Sequence, residues 1–182
     1  MKKLFVSIIL LIFVSGIVFA AALPSKYVVP ILMYHHVAEK KGDILYVPTK
    51  DFDRQMKFLK DRKYNVISFK ELVDLIVRGK KFPRNTVVIT LDDGYENNYT
   101  NAYPILKKYN IPAIIFALPG HCGWEGYLTK GQLKELSDNG IDIGSHTMND
   151  VWLPSRSDEE VRKELVDSKK ALEEITGKKI DF

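Results

Sequence analysis

Two acids and a glycine close an apolar segment at Thr90-Leu91-Asp92-Asp93-Gly94. Adjacent carboxylates at the mouth of a buried segment are costly, because like charges repel and burial raises carboxyl pKa values. A glycine-linked turn can aim both acids at one cleft, where the pair divides the labour: one acid binds a cation and the other acts as a general base. The competing reading is a helix start, since Asp and Gly are common at N-caps and in turns and Glu96 suits a first turn. A second candidate is Gly144-Ser145-His146-Thr147-Met148-Asn149-Asp150. A histidine with a carboxylate four residues on has metal-ligand spacing if the segment curls into a helical turn. A hydrogen-bonded structural histidine followed by a cap is the alternative. The third is Met33-Tyr34-His35-His36-Val37, where paired histidines could supply an acid, an orienting hydrogen bond or a ligand, or lie idle on the surface. His121 and Cys122, in Pro119-Gly120-His121-Cys122-Gly123, read as loop structure.

The elements that must position these residues alternate between two periods. Apolar runs of strand length cover 28–34, 65–68, 86–91, 112–118 and 141–145, and Thr86 to Leu91 carries no polar alternation, so it is expected to be buried on both faces. Helical spacing covers 51–63, with Phe52, Met56 and Leu59 on one face and Thr49 as N-cap, then 69–78 ended by Gly79. Three further helices are expected: 97–109, with Pro104 tolerated only near a turn or kink, 129–139 between Thr129 and Gly140, and 157–176 ended by Gly177. Strands buried on both faces and separated by helices argue a parallel sheet, open or curled into a barrel, with ligand sites at the C-terminal ends of the strands. All three candidate motifs follow such ends.

Composition bounds the rest. The 182 residues are 46% hydrophobic, 11% aromatic and 27% charged, which excludes a disordered tail and a multi-span membrane protein. Net charge is +4, and Lys2 and Lys3 belong to a targeting segment, so no concentrated basic face for nucleic acid remains. A single cysteine, Cys122, excludes an intrachain disulfide and a cysteine-rich zinc site. Met1-Lys2-Lys3, the apolar run from Leu4 to Phe19, Ala20-Ala21-Ala22 and Pro24 have the layout of a secretory signal peptide. A membrane anchor through residues 4–22 is the competing reading. Residues 1–22 are thus an address, and either reading places the rest outside the cytoplasm: secreted, periplasmic or on the outer face of the cell membrane.

Thr90-Leu91-Asp92-Asp93-Gly94-Tyr95, followed about fifty residues later by Ile143-Gly144-Ser145-His146-Thr147, resembles the polysaccharide deacetylases of the NodB-homology family, carbohydrate esterase family four. Pro30-Ile31-Leu32-Met33-Tyr34-His35 and Ile114-Ile115-Phe116-Ala117 are also similar to bacterial members, so the resemblance runs over residues 28–182. It implies an α/β fold, a distorted (β/α) barrel of the NodB-homology type over 23–182. The implied activity is metal-dependent removal of N-acetyl or O-acetyl groups from an extracellular polysaccharide such as an N-acetylglucosamine polymer. Carried over by position, Asp92 is the general base that activates a metal-bound water, and Asp93 and His146 are ligands of a divalent ion. Zinc is the first expectation, with manganese, iron, cobalt or nickel as alternatives. Tyr95 and Trp152 are expected at the substrate, Trp124 and Tyr127 join them as a stacking surface or pack into the core, and His35 is the candidate acid.

Two departures qualify the resemblance. The family has a second histidine four residues after the first, where this chain has Asp150; a carboxylate there makes a harder, less zinc-selective site, with Asn149 as a fallback donor. The later family motifs, with a groove-lining Arg, aromatic residues and an acid histidine, are absent, so an incomplete barrel with an exposed sheet edge is expected. A degenerate relative that binds carbohydrate without catalysis is therefore the alternative function, and a structural domain with an Asp-Asp-Gly helix cap is a third.

Overall fold

The buried, branched run Thr86-Val87-Val88-Ile89-Thr90-Leu91 is the central strand of a parallel sheet in the computed structural model, which describes residues 28–182. Residues 1–22, read above as a targeting segment, lie outside the described residues. In chain order the elements are β1 (Ile31–Tyr34), β2 (His36–Val37), β3 (Tyr46–Val47), α1 (Thr49–Asp61), β4 (Asn65–Val66), α2 (Phe69–Val77), β5 (Thr86–Asp93), a π-helical turn (Asn98–Ala102), α3 (Tyr103–Tyr109), β6 (Ile114–Ala117), α4 (Lys130–Asp138), β7 (Asp142–Ser145) and α5 (Asp158–Thr176). The sheet order is β1-β5-β6-β7, β4 adds to β5, and β2 and β3 form a separate pair. Every strand pairing is parallel, as expected in the main sheet where helices join the strands, and the short β2–β3 pair, joined by a loop, is parallel too.

Register places the chemistry on one edge. Tyr34 pairs with Leu91, Asp93 with Ala117, and Ala117 with Ser145. The residues just beyond these rungs, His35, Gly94, Leu118 and His146, therefore share one end of the sheet. The helices bury their apolar faces against it: α1 contributes Phe52, Met56 and Leu59, α4 contributes Leu133 and Leu136, and α5 contributes Leu172. Thr129 and Ser157 each close a capping box, with Gln132 and Glu160, and Gly177 ends α5 in the left-handed conformation at φ 70°. On outer strand β1, Met33 is 62% exposed.

Two local expectations are corrected. Thr49 is not the cap of α1 but lies inside it: Pro48 holds the cap position, and its carbonyl accepts from the N–H groups of Asp51 and Phe52 at 2.8 and 3.0 Å. The segment 97–109 is not one helix. Pro104 has no N–H to give a preceding turn, so α3 starts around it and a π-helical turn absorbs the mismatch. That turn has a use. Asn98 donates to the His35 carbonyl at 2.8 Å, Asn101 to the Val37 carbonyl at 2.8 Å, and Asn97 accepts from the Val37 N–H at 2.9 Å. Three asparagines thus fasten the His35–Val37 segment beside the end of β5.

Candidate active site and metal centre

Strand β5 extends two residues past the apolar run and ends on both aspartates. Successive strand residues face opposite ways, yet Asp93 at φ 70° and Gly94 at φ 71° turn the chain at once. Aspartate tolerates the left-handed region better than most residues, and Gly94 is needed there on two counts. Its φ favours glycine, and a Cβ would stand 3.3 Å from the Ala117 Cβ. The outcome is a shared cleft: the charges of both His146 and His35 are felt by Asp92 and by Asp93. The turn, not a helix cap, is the role of the Asp-Asp-Gly motif.

The two acids are held differently. Asp92 is 9% exposed, and its Oδ1 has no hydrogen-bond partner among the described residues. Burial raises its pKa, against the opposing charges of His146 and His35. Asp93 is also opposed by burial, but the hydrogen bond and charge of His146, with the Tyr95 hydroxyl, together hold its pKa below the usual carboxylate range. Its Oδ1 lies 3.2 Å from His146 Nε2. That contact raises the His146 pKa despite burial.

Beyond β7 the chain makes a tight loop rather than a helical turn, with Thr147 at φ 72° and Asp150 at φ 56°. The loop is tied internally: Thr147 N–H donates to Ser145 Oγ at 3.3 Å and Asp150 N–H to Thr147 Oγ1 at 3.1 Å. It brings Asp150 round to His146 and Asp93, so that one ligand atom from each of the three lies within 4.8 Å of the others. Two anionic oxygens and one imidazole suit a divalent cation, and Asp92, next in the chain to Asp93 and within reach of the His146 charge, keeps an unpartnered oxygen that can take a proton. The residues present therefore fit a metal ion. Asn149 faces away from the three ligands: its Nδ2 donates to Glu164 at 2.9 Å and its Oδ1 lies against Gly120.

The remaining candidates divide. The charge of His35 is felt by both aspartates. His36 does not serve the cleft in the same way: its ring is sandwiched between Tyr46 and Tyr95, at 3.9 and 3.5 Å between centroids, and its Nδ1 faces the Asn97 amide at 3.0 Å. Tyr95 reaches Asp93 and packs on Tyr127 at 5.0 Å. Trp124 stacks on His121 at 4.3 Å and is 59% exposed, and Trp152 is 74% exposed after the His146–Asp150 loop. Burial pushes the Cys122 thiol up to about 11, which suits a loop-packing residue and not a nucleophile. Sequence reasoning missed Glu164, Asn97, Asn98 and Asn101. None of them carries a spacing signal, since each acts across the fold on a segment remote in sequence.

A parallel α/β sheet here gathers an acidic pair, a histidine and a third carboxylate at its C-terminal end, where such folds bind ligands. The polysaccharide deacetylase family model matches residues 79–182, and the chain belongs to this family. It is 40% identical over 152 residues to YxkH of Bacillus subtilis (strain 168), which carries the name of a polysaccharide deacetylase, covering 84% of this chain and 53% of that protein. It is 36% identical over 121 residues to the poly-beta-1,6-N-acetyl-D-glucosamine N-deacetylase of Staphylococcus aureus (strain MSSA476), covering 63% of this chain and 41% of that one. The chain thus spans about half the length of the curated relatives it matches. Among solved structures, the Streptococcus pyogenes deacetylase PplD in complex with acetate superposes with a TM-score of 0.78 at 30% identity, over 84% of this chain and 70% of that chain. The Bacillus cereus polysaccharide deacetylase BC0361 gives 0.72 at 33%, over 84% and 48%.

Proposed function

We propose that this chain carries the site of a metal-dependent hydrolase that removes N-acetyl, or O-acetyl, groups from an extracellular polysaccharide such as an N-acetylglucosamine polymer. One observation carries the reading: the ligand atoms of Asp93, His146 and Asp150 converge within 4.8 Å, next to a buried Asp92 oxygen with no partner. The staphylococcal relative, named for poly-beta-1,6-N-acetyl-D-glucosamine, supports the substrate class. A bound divalent ion supplies Lewis-acid polarisation of the acyl oxygen and of water.

The chain's own residues do the remaining work. Asp92 takes a proton as the water oxygen bonds to the acetyl carbon; burial keeps it a stronger base than an exposed aspartate. When the carbon–nitrogen bond breaks, the departing amine needs a proton, and His35, fastened by Asn98 through its carbonyl, is the donor beside the aspartates. Tyr95 holds Asp93, and Trp152 and Trp124 offer exposed ring faces for sugar. With two carboxylates and one imidazole the site favours a harder ion, manganese or iron, more than a two-histidine site does; cobalt, nickel and zinc remain possible occupants. Export places the substrate: residues 1–22 act as signal peptide or anchor, and no helix among the described residues is long and apolar enough to cross a membrane.

The test is acetate release from N-acetylglucosamine oligomers, abolished by chelation and restored by a divalent ion. Asp150 in place of a histidine favours a second reading, a relative that binds carbohydrate and does not hydrolyse it. Metal binding and oligosaccharide binding with no acetate release select that reading.

A further inference from the structure

Helix α5 carries the usual charged ladder on its solvent side, with Lys163–Asp167 and Lys170–Glu174 paired four residues apart. Glu164 does something else. Its Oε2 accepts from the backbone N–H groups of Met148 and Asn149 at 2.8 and 2.9 Å, and its Oε1 accepts from Asn149 Nδ2 at 2.9 Å. Three donors from two adjacent residues of the loop His146–Asp150 thus meet one half-buried carboxylate. Bonds to an ionised acceptor are the stronger kind, and here they hold backbone as well as side chain.

The opposite side of the loop is held by the turn after β6. Gly120 N–H donates to the Met148 carbonyl at 3.0 Å, and a Cβ at Gly120 would lie 2.4 Å from Asn149 Oδ1 and 2.5 Å from that carbonyl. Met148 and Asn149 are therefore gripped between α5 and residue 120. Their neighbours on either side, Thr147 and Asp150, take left-handed backbone that a free loop would abandon. The grip also decides which oxygen is offered: Asn149 is turned to Glu164 through Nδ2 and to Gly120 through Oδ1, and Asp150, one residue on, is turned towards His146 and Asp93.

We infer that Glu164 is a positioning residue for the metal centre, a carboxylate that never touches the ion but fixes the loop that supplies Asp150. The inference rests on the metal reading given above. Outer partners of this kind typically set metal affinity by about 10- to 100-fold.

The experiment is calorimetric titration of the full chain with manganese and with zinc, for wild type, Glu164→Ala and Glu164→Asp. Thermal unfolding without metal and amide hydrogen exchange at Met148 and Asn149 are followed in parallel. Glu164→Ala should lose exchange protection at both amides and bind the ions about 10- to 100-fold more weakly, with little change in unfolding temperature. Glu164→Asp keeps the charge but falls one methylene short, so it should weaken binding in the same direction, and it stands in if the alanine variant does not fold. Wild-type affinity in either folded variant overturns the positioning role. A wild-type chain that binds neither ion overturns the metal reading itself, and the role of Glu164 with it.

Discussion

The two strand ends that meet in the cleft are built by different means. Strand β5 lies inside the sheet, paired with β1 as far as Leu91 and with β6 to its last rung, Asp93 with Ala117. The end of β7 leaves the sheet after the His146 N–H, which donates to the Ala117 carbonyl at 3.0 Å, and the loop beyond it is fixed mainly by side chains, Ser145, Thr147 and Glu164, with one backbone bond from the Gly120 N–H to the Met148 carbonyl. Ladder contacts are cooperative and tolerate the loss of any one. A side-chain tether contributes about 1 kcal/mol by itself, more where a charge is involved, and has no understudy. One wall of the site is therefore rigid and the other adjustable. The departure from the family's second histidine falls on the adjustable wall, at Asp150.

Breaking the rigid wall should cost the most. Asp92→Asn keeps the shape of the side chain and removes its basicity, so acetate release from N-acetylglucosamine oligomers should fall about 10²- to 10⁴-fold. Metal content measured on the same preparation should stay at the wild-type level, because Asp92 is not among the three converging ligands. A parallel loss of metal would show that the two aspartates share one task.

The adjustable wall should respond by retuning. Asp150→His exchanges an oxygen donor for an imidazole, and zinc affinity should rise about tenfold relative to manganese. Competition between the two ions, read by metal analysis after dialysis, checks this; an unchanged ratio would remove Asp150 from the ligand set. Gly120→Ala tests the same wall from behind. The added methyl meets Asn149 Oδ1 and the Met148 carbonyl well inside contact distance, and overpacking of this kind costs about 1–3 kcal/mol. Denaturant unfolding measures the cost, and a neutral result would mean that the loop yields freely.

The same division explains what could be read from residue types alone. The rigid wall was legible: Thr86 to Leu91 announces a doubly buried strand, its end carries Asp92 and Asp93, and the glycine after them marks the turn. His146 and Asp150 could be singled out by spacing as candidate ligands, although the expected helical turn is in fact a loop with two left-handed residues. The tethers were not legible. Glu164 sits among the many acids of a charged helix, and nothing in its neighbours separates a glutamate that reaches across the fold from one in solvent. His35 and His36 are adjacent and identical in type, and only the backbone bend between β1 and β2 sends one to the aspartates and the other between Tyr46 and Tyr95. The asparagines at 97, 98 and 101 read as helix surface because the π-helical turn that aims them has no composition signal of its own.

The smallest effect sharpens the comparison furthest. Ser168 is fully buried on α5, and its Oγ lies 2.7 Å from Ser145 Oγ, at the rung where β7 ends. Ser168→Ala removes one neutral hydrogen bond and leaves Ser145 Oγ still accepting from the Thr147 N–H. Stability should fall by about 1 kcal/mol, and metal affinity should not move, because this contact secures the strand end and not the loop beyond it. Ser168→Ala and the Glu164 variants alter the same helix within a few residues of each other. If both weakened metal binding equally, the loop would be held diffusely by the whole of α5. If only the Glu164 variants do so, one carboxylate sets the adjustable wall.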